Sequence, residues 1–181
     1  MPRNKIQQDP AEKRTEIVDA ARRLFLATGY EATSMASIAA AAGVASNTIY
    51  WYFQDKDELL VAVLDAELER GMAKVLSAPD TDTTGRLLLA LRQLERARRL
   101  VATVHARIQI SPVIAAWHDR FHELSETLVQ SEMHQAGVST KTAKALVKIW
   151  VFTIEGLLAH PMSDAEKRQI CSYLATKLTA A

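Results

Sequence analysis

Gly43 separates two stretches, 35–42 and 46–52, each too short to hold a helix in water by itself. Ser34 is placed to cap the first of them. Gly43 stands where that helix would end in a left-handed residue, which glycine adopts at least cost. In the second stretch Ile49 and Phe53, four residues apart, supply an apolar side. Neither piece is stable unless a longer element packs under it. A short helix, a glycine turn and a second short helix together form a helix-turn-helix arrangement.

The support lies just upstream. Asp9-Pro10-Ala11-Glu12 is a strong helix start, with a cap, a proline at the first position and an acid in the first turn. The helix is expected to run to about Thr28 and stop at Gly29, with Ile17, Val18, Ala21, Leu24 and Phe25 on one face. Downstream, Asp55-Lys56-Asp57-Glu58 opens a further helix, expected to reach about Leu76. Lys56 is out of place there, because a cation in the first turn opposes the helix dipole. A phosphate at that end would turn the conflict into a binding site, whereas a solvated lysine balanced by Asp57 would explain it without one. In such arrangements the second short helix enters the major groove of DNA.

These residues carry a resemblance. Gly29-Tyr30, Thr33-Ser34, Ile38-Ala39, Ala42-Gly43-Val44, Thr48-Ile49-Tyr50, Tyr52-Phe53 and Lys56, taken as a set, look like the DNA-binding domain of the tetracycline-repressor (TetR) family of transcriptional regulators. The match covers about the first 60 residues. It implies an all-α fold of about nine helices: a helix-turn-helix domain with an N-terminal arm over 1–54, and an effector-binding and dimerisation domain over 55–181. It further implies a homodimer on a near-palindromic operator, released by a small-molecule effector, with no cofactor and no enzymatic activity.

Candidate DNA contacts follow from residue types. Thr33 and Ser34 offer hydroxyls at a helix N-terminus, where they can cap, bind phosphate, or both. Ser46, Asn47, Thr48 and Trp51 point away from Ile49 and Phe53; Asn, Ser and Thr can bond base edges, and Trp51 offers an apolar surface. Tyr50 and Tyr52 can each give a hydroxyl to a phosphate, although the Tyr50 ring could instead pack inward. By the resemblance, the lysine matching Lys56 binds phosphate. Two departures stand out. Ala45 occupies a position where the family often has a Ser or Thr cap, and Asn47 one where glycine is frequent. Arg3 and Lys5 lie in a polar arm that either reaches the minor groove or is a frayed terminus.

Charge would not have suggested DNA. Lys and Arg number 22 against 21 Asp and Glu, so binding must rest on placed contacts rather than a broad positive field. The apolar fraction of 49 % marks a globular chain. Cys171, the single cysteine, leaves no internal disulfide and suits a reducing cytosol. No apolar run reaches the ~18 residues of a membrane span, and the N-terminus has no signal-peptide pattern.

The rest is helical and less specific. Leu87, Leu88, Leu91 and Leu94 form an apolar face, and Arg98 projects onto it unless the helix has already bent or ended. A buried Arg98 would need a carboxylate or an anionic ligand. Ser111-Pro112 starts a helix whose stripe includes Trp117 and Phe121, suited to a core or to a pocket wall. His118 and His122 have the i, i+4 spacing of metal ligands but no cysteine or clear third ligand in sequence, so no metal is expected. A helix opening at Ser139 or Thr140 is apolar nearly all round from Ile149 to Ala159, interrupted by Glu155, which either pairs with Arg98 or Arg107 or faces a ligand. Trp150, with Arg98, Trp117, Phe121 and Glu155, completes a candidate effector set. Trp150, Ile154 and Leu157, with Ile170, Leu174 and Leu178 of a last helix opened by Ser163-Asp164-Ala165-Glu166, are expected at a dimer interface. Two other readings stand beside this one: a DNA-binding protein without a ligand, which a filled body would favour, and a helical enzyme, for which no nucleophile–base pair or phosphate loop is present.

Overall fold

The computed structural model describes residues 9–78, 82–135 and 140–179. The arm with Arg3 and Lys5, the stop at Gly137, the cap at Ser139 and the side chain of Leu178 lie outside the described parts. The described residues form eight α-helices and no strands: α1 Pro10–Ala27, α2 Met35–Ala41, α3 Lys56–Leu76, α4 Thr83–Arg96, α5 Arg98–Arg107, α6 Pro112–Gln135, α7 Thr140–Ala159 and α8 Asp164–Thr179. A 3-10 turn, Ile49–Trp51, lies between α2 and α3. None of the described helices is long and apolar enough to cross a membrane.

Local signals set most helix starts. The Asp9 carboxylate accepts from the Ala11 amide at 2.9 Å with Pro10 in the first turn. Ser34 and Ser37 form a reciprocal capping box at α2, with both bonds near 3 Å (3.0 and 3.1 Å). Asp55 accepts from the Glu58 amide at 2.8 Å, and Glu58 reaches back to the Gln54 amide at 2.6 Å. Ser163 and Glu166 repeat the box at α8. Gly43 has φ +67°, and the bonds from the Val44 amide to the Ala39 carbonyl and from the Gly43 amide to Ala40 close a Schellman motif.

The expected helix at 46–52 is not an α-helix. Its bonds run Thr48 amide to Ala45 carbonyl, Trp51 amide to Thr48 carbonyl and Tyr52 amide to Ile49 carbonyl, the tighter i to i+3 pattern. Ala45 cannot cap it, no side chain caps the 3-10 turn, and the stretch is too short to propagate. Ile49 and Phe53, both buried, fix it to α1 and α3 as expected.

Two apolar clusters hold the chain. The first joins Ile17, Phe25, Ile38, Ile49, Phe53 and Leu60 to Leu100 and Val104 of α5 and to Ile114 and Trp117 of α6. The core under the helix-turn-helix is therefore continuous with the body. The second joins α4, α6, α7 and α8 through Leu91, Met133, Val147, Ile154, Leu157, Cys171 and Leu174.

The second cluster takes up several of the residues expected at the dimer interface. Ile154, Leu157 and Leu174 are buried within the chain itself, and Trp150 and Ile170 pack against the same cluster. The apolar residues facing outward on α7 and α8 are Phe152 (67 % exposed), Tyr173 (64 %) and Ile149 (54 %). A helix apolar all round buries two sides, and the sequence pattern does not say which side the subunit itself covers. For Arg98 the second of the two readings holds: α4 ends at Arg96, the chain bends at Ala97, and Arg98 is exposed in the first turn of α5 rather than on the leucine face.

Candidate nucleic-acid interface and its joint to the body

The turn 45–52 stands on a buried footing and presents polar and aromatic groups outward. Trp51 is 86 % exposed and Tyr50 55 %, while Ala45, Ser46 and Asn47 are exposed and Thr48 and Tyr52 half-buried. Exposed aromatic surface of this kind is costly to leave in water and is normally used in binding. Ser34 is exposed and caps the N-terminus of α2, the helix that ends before Gly43. Thr33 differs: it is buried, its hydroxyl donates to the Gly29 carbonyl at 2.7 Å, and it lies 3.0 Å from the Thr28 hydroxyl. Its hydroxyl is used inside the fold.

Lys56 is held rather than solvated. Its ammonium donates to the carbonyls of Tyr30 (2.9 Å) and Thr33 (3.0 Å) and lies 4.1 Å from the centre of the Tyr30 ring. These carbonyls offset the dipole conflict seen in the sequence and tie the start of α3 to the segment leading into α2. One N–H of the ammonium remains for another acceptor.

Beside it is a joint that the sequence did not disclose. Arg107, the last residue of α5, grips Asp57 with two parallel bonds of 2.8 Å, from Nε to Oδ1 and from Nη2 to Oδ2. The Tyr30 hydroxyl also donates to Asp57, and the Ser111 hydroxyl before α6 adds a further bond. Burial pushes the Asp57 carboxyl up, but the Arg107 guanidinium and the two hydroxyls outweigh it and hold the group below its ordinary value. Burial, then the bond to and charge of Asp57, push the Tyr30 phenol well above its ordinary range. Four elements therefore meet at one carboxylate: the α1–α2 connection, α3, α5 and the start of α6. Arg99 adds a second tie from α5, donating to the carbonyls of Leu26 (2.9 Å) and Ala27 (2.6 Å) at the end of α1. Arg99 thus supplies a C-cap to α1.

The expected effector residues are only partly brought together. Trp117 stacks on Phe121 with ring centres 5.4 Å apart, and its indole nitrogen donates to Asp65 at 2.7 Å. These aromatics fill space rather than line it. Phe121 packs edge-on against His122, which faces Glu155 at 3.5 Å. Glu155 therefore meets a histidine, not Arg98 or Arg107. Trp150 packs in the second cluster, and its buried indole nitrogen has no acceptor among the described residues. Two concavities, of about 560 Å³ along the outer side of α8 and about 260 Å³ between α4 and α8, open at the surface.

Comparison with known proteins agrees with this arrangement. Residues 17–63 match the model for bacterial regulatory proteins of the tetR family. The transcriptional repressor KstR of Rhodococcus jostii (strain RHA1) is 32 % identical over 171 residues, covering 93 % of this chain and 76 % of KstR. The transcriptional regulator AcrR of Shigella flexneri is 25 % identical over 197 residues, covering 96 % of this chain and 91 % of AcrR. Among solved structures, Salmonella enterica GusR shares the fold with a TM-score of 0.73 over 97 % of both chains, at 22 % identity. The multidrug binding protein EbrR, complexed with imidazole, does so with a TM-score of 0.64 over 92 % of this chain and 96 % of EbrR, at 25 % identity. With its helix-turn-helix head built on a continuous helical body, the chain belongs to the TetR family of bacterial transcriptional regulators.

Proposed function

We propose that the protein is a homodimeric repressor that binds a near-palindromic operator through the turn 45–52 and is released by a small effector bound in its body. The observation that carries this reading is the exposed edge of Asn47, Tyr50 and Trp51 on the buried footing of Ile49 and Phe53. Asn47 and Trp51 read bases, Ser46 and Thr48 assist, and Ser34, Tyr50, Tyr52 and Lys56 hold phosphates. Ala45 brings backbone close to the DNA without capping the turn. Lys56 contributes from its clamped position, so its effect is uniform across sequences.

Ile149, Phe152 and Tyr173 support pairing of two subunits across α7 and α8, since a stable dimer covers such apolar surface. Two heads related by a two-fold axis would then meet half-sites one helical turn apart, about 10 base pairs. Selection of DNA by the full-length protein from a random pool tests this. An inverted repeat at that spacing, with the Asn47→Ala variant selecting a changed half-site, is the expected result. Enrichment of no sequence, or the same sequence from both proteins, contradicts it.

A further inference from the structure

Three histidines and a carboxylate from three helices converge at the junction of α5, α6 and α7. The coordinating atoms of His105, His118 and Glu155 all lie within 4.8 Å of one another. His122 joins them, with its Nε2 3.0 Å from His118 Nε2 and 3.5 Å from Glu155 Oε1. His118 and His122 sit one turn apart on α6, and the fold supplies from α5 and α7 the further ligands that the sequence did not reveal. From this geometry we propose that the cluster is a binding site for a divalent first-row transition metal ion, zinc being the reference case. The proposal deepens the reading above by naming the class of effector, and its coupling to DNA rests on that reading.

The donor set argues for such an ion. Imidazoles suit Zn(II), Ni(II) and Cu(II), whereas calcium and magnesium take oxygen ligands. Three nitrogens and one oxygen complete a tetrahedral shell. With bonds of about 2.0–2.1 Å, neighbouring ligand atoms in that shell lie about 3.3 Å apart. The two shorter separations here, 3.0 and 3.5 Å, bracket that value. The longer ones close by turning His105, which is exposed and touches His118 only edge to face. Asp119 lies on the side of the other ring nitrogen of His118, at 3.8 Å, beyond hydrogen-bond length. The rings already pack edge to face, His105 on His118 and His118 on His122, with the edge of Phe121 against His122.

A hydrogen-bonded cluster without metal would satisfy His118, His122 and Glu155 but would make no use of His105. A metal site requires it, and His105 lies two residues before Arg107 on α5. A ligated His105 ties the last turn of α5, which carries the Arg107 that grips Asp57, to α6 and α7. The ion thus acts on the joint beneath the reading turn.

Zinc chloride is added to the untagged, full-length protein, and zinc retained after dialysis is measured alongside the visible spectrum of the Co(II)-loaded form. The expected result is one metal per chain, a tetrahedral Co(II) spectrum, and binding weakened at least about tenfold in His105→Ala and in Glu155→Gln. Both variants should still bind the selected DNA but lose its zinc-dependent release. His105→Ala removes an exposed side chain, and its thermal melt separates lost ligation from lost folding. Absence of stoichiometric zinc, or binding unchanged in both variants, overturns the site. Zinc bound through these residues with DNA affinity unchanged overturns its role as effector. Failure to bind any DNA without zinc would instead count against the regulator reading and leave the metal measurement to stand by itself.

Discussion

The reading turn and the Asp57 joint lie a few residues apart and are built in opposite ways. In the turn 45–52 the side chains of Asn47, Tyr50 and Trp51 face solvent, while Ile49, with Phe53 just beyond, holds it down. At the joint, Asp57, Arg107, Tyr30 and Ser111 are bonded to one another and leave little for outside partners. The exposed side chains Asn47, Tyr50 and Trp51 are left to solvent, whereas Asp57 is bonded to several elements at once. Stability and recognition should therefore separate under substitution.

Asp57→Ala should have the largest effect on stability. It leaves the half-buried Arg107 and the Tyr30 hydroxyl without their acceptor, costing about 2 kcal/mol and lowering the melting temperature by roughly 5 °C in a calorimetric scan. The pH dependence has a definite sign. Because the folded state holds the Asp57 carboxyl below its ordinary value of 3.8, its stabilisation is fully present above that pH. It is lost as acid takes the pH down through the lower folded value. The stability gap between wild type and Asp57→Ala should close in that window, and a gap that widens there would show the carboxylate is not what Arg107 needs.

Gly43→Ala comes next. An added Cβ would meet nothing within 4 Å, so the cost is that of the left-handed backbone at φ +67°, about 1 kcal/mol. Arg99→Ala, at an exposed position with two carbonyl bonds, should cost about 0.5 kcal/mol and loosen the end of α1 first, seen as faster hydrogen exchange at the Leu24–Gly29 amides. A loss as large as that of Asp57→Ala would mean the joint is spread along α5 rather than centred on one carboxylate.

What could be read from the sequence follows the same division. The caps at Asp9, Ser34, Asp55 and Ser163 were visible because donor and acceptor lie within four residues, and so was the positive φ of Gly43. The apolar footing of the turn was visible in the spacing of Ile49 and Phe53. The Asp57–Arg107 pair spans 50 residues, so no local pattern announces it. His105 and Glu155 meet the α6 histidines only through tertiary packing. The missing cap at Ala45 was legible, but its consequence, a 3-10 turn in place of a helix, required the whole backbone. The outward face of α7 was hidden because both of its sides are apolar.

The most direct test is to measure operator affinity and melting temperature together on Trp51→Ala and Asn47→Ala. Both residues are exposed, so stability should stay within about 0.5 kcal/mol of wild type while affinity falls about tenfold or more. Affinity unchanged in both variants would contradict the assignment of DNA recognition to this turn.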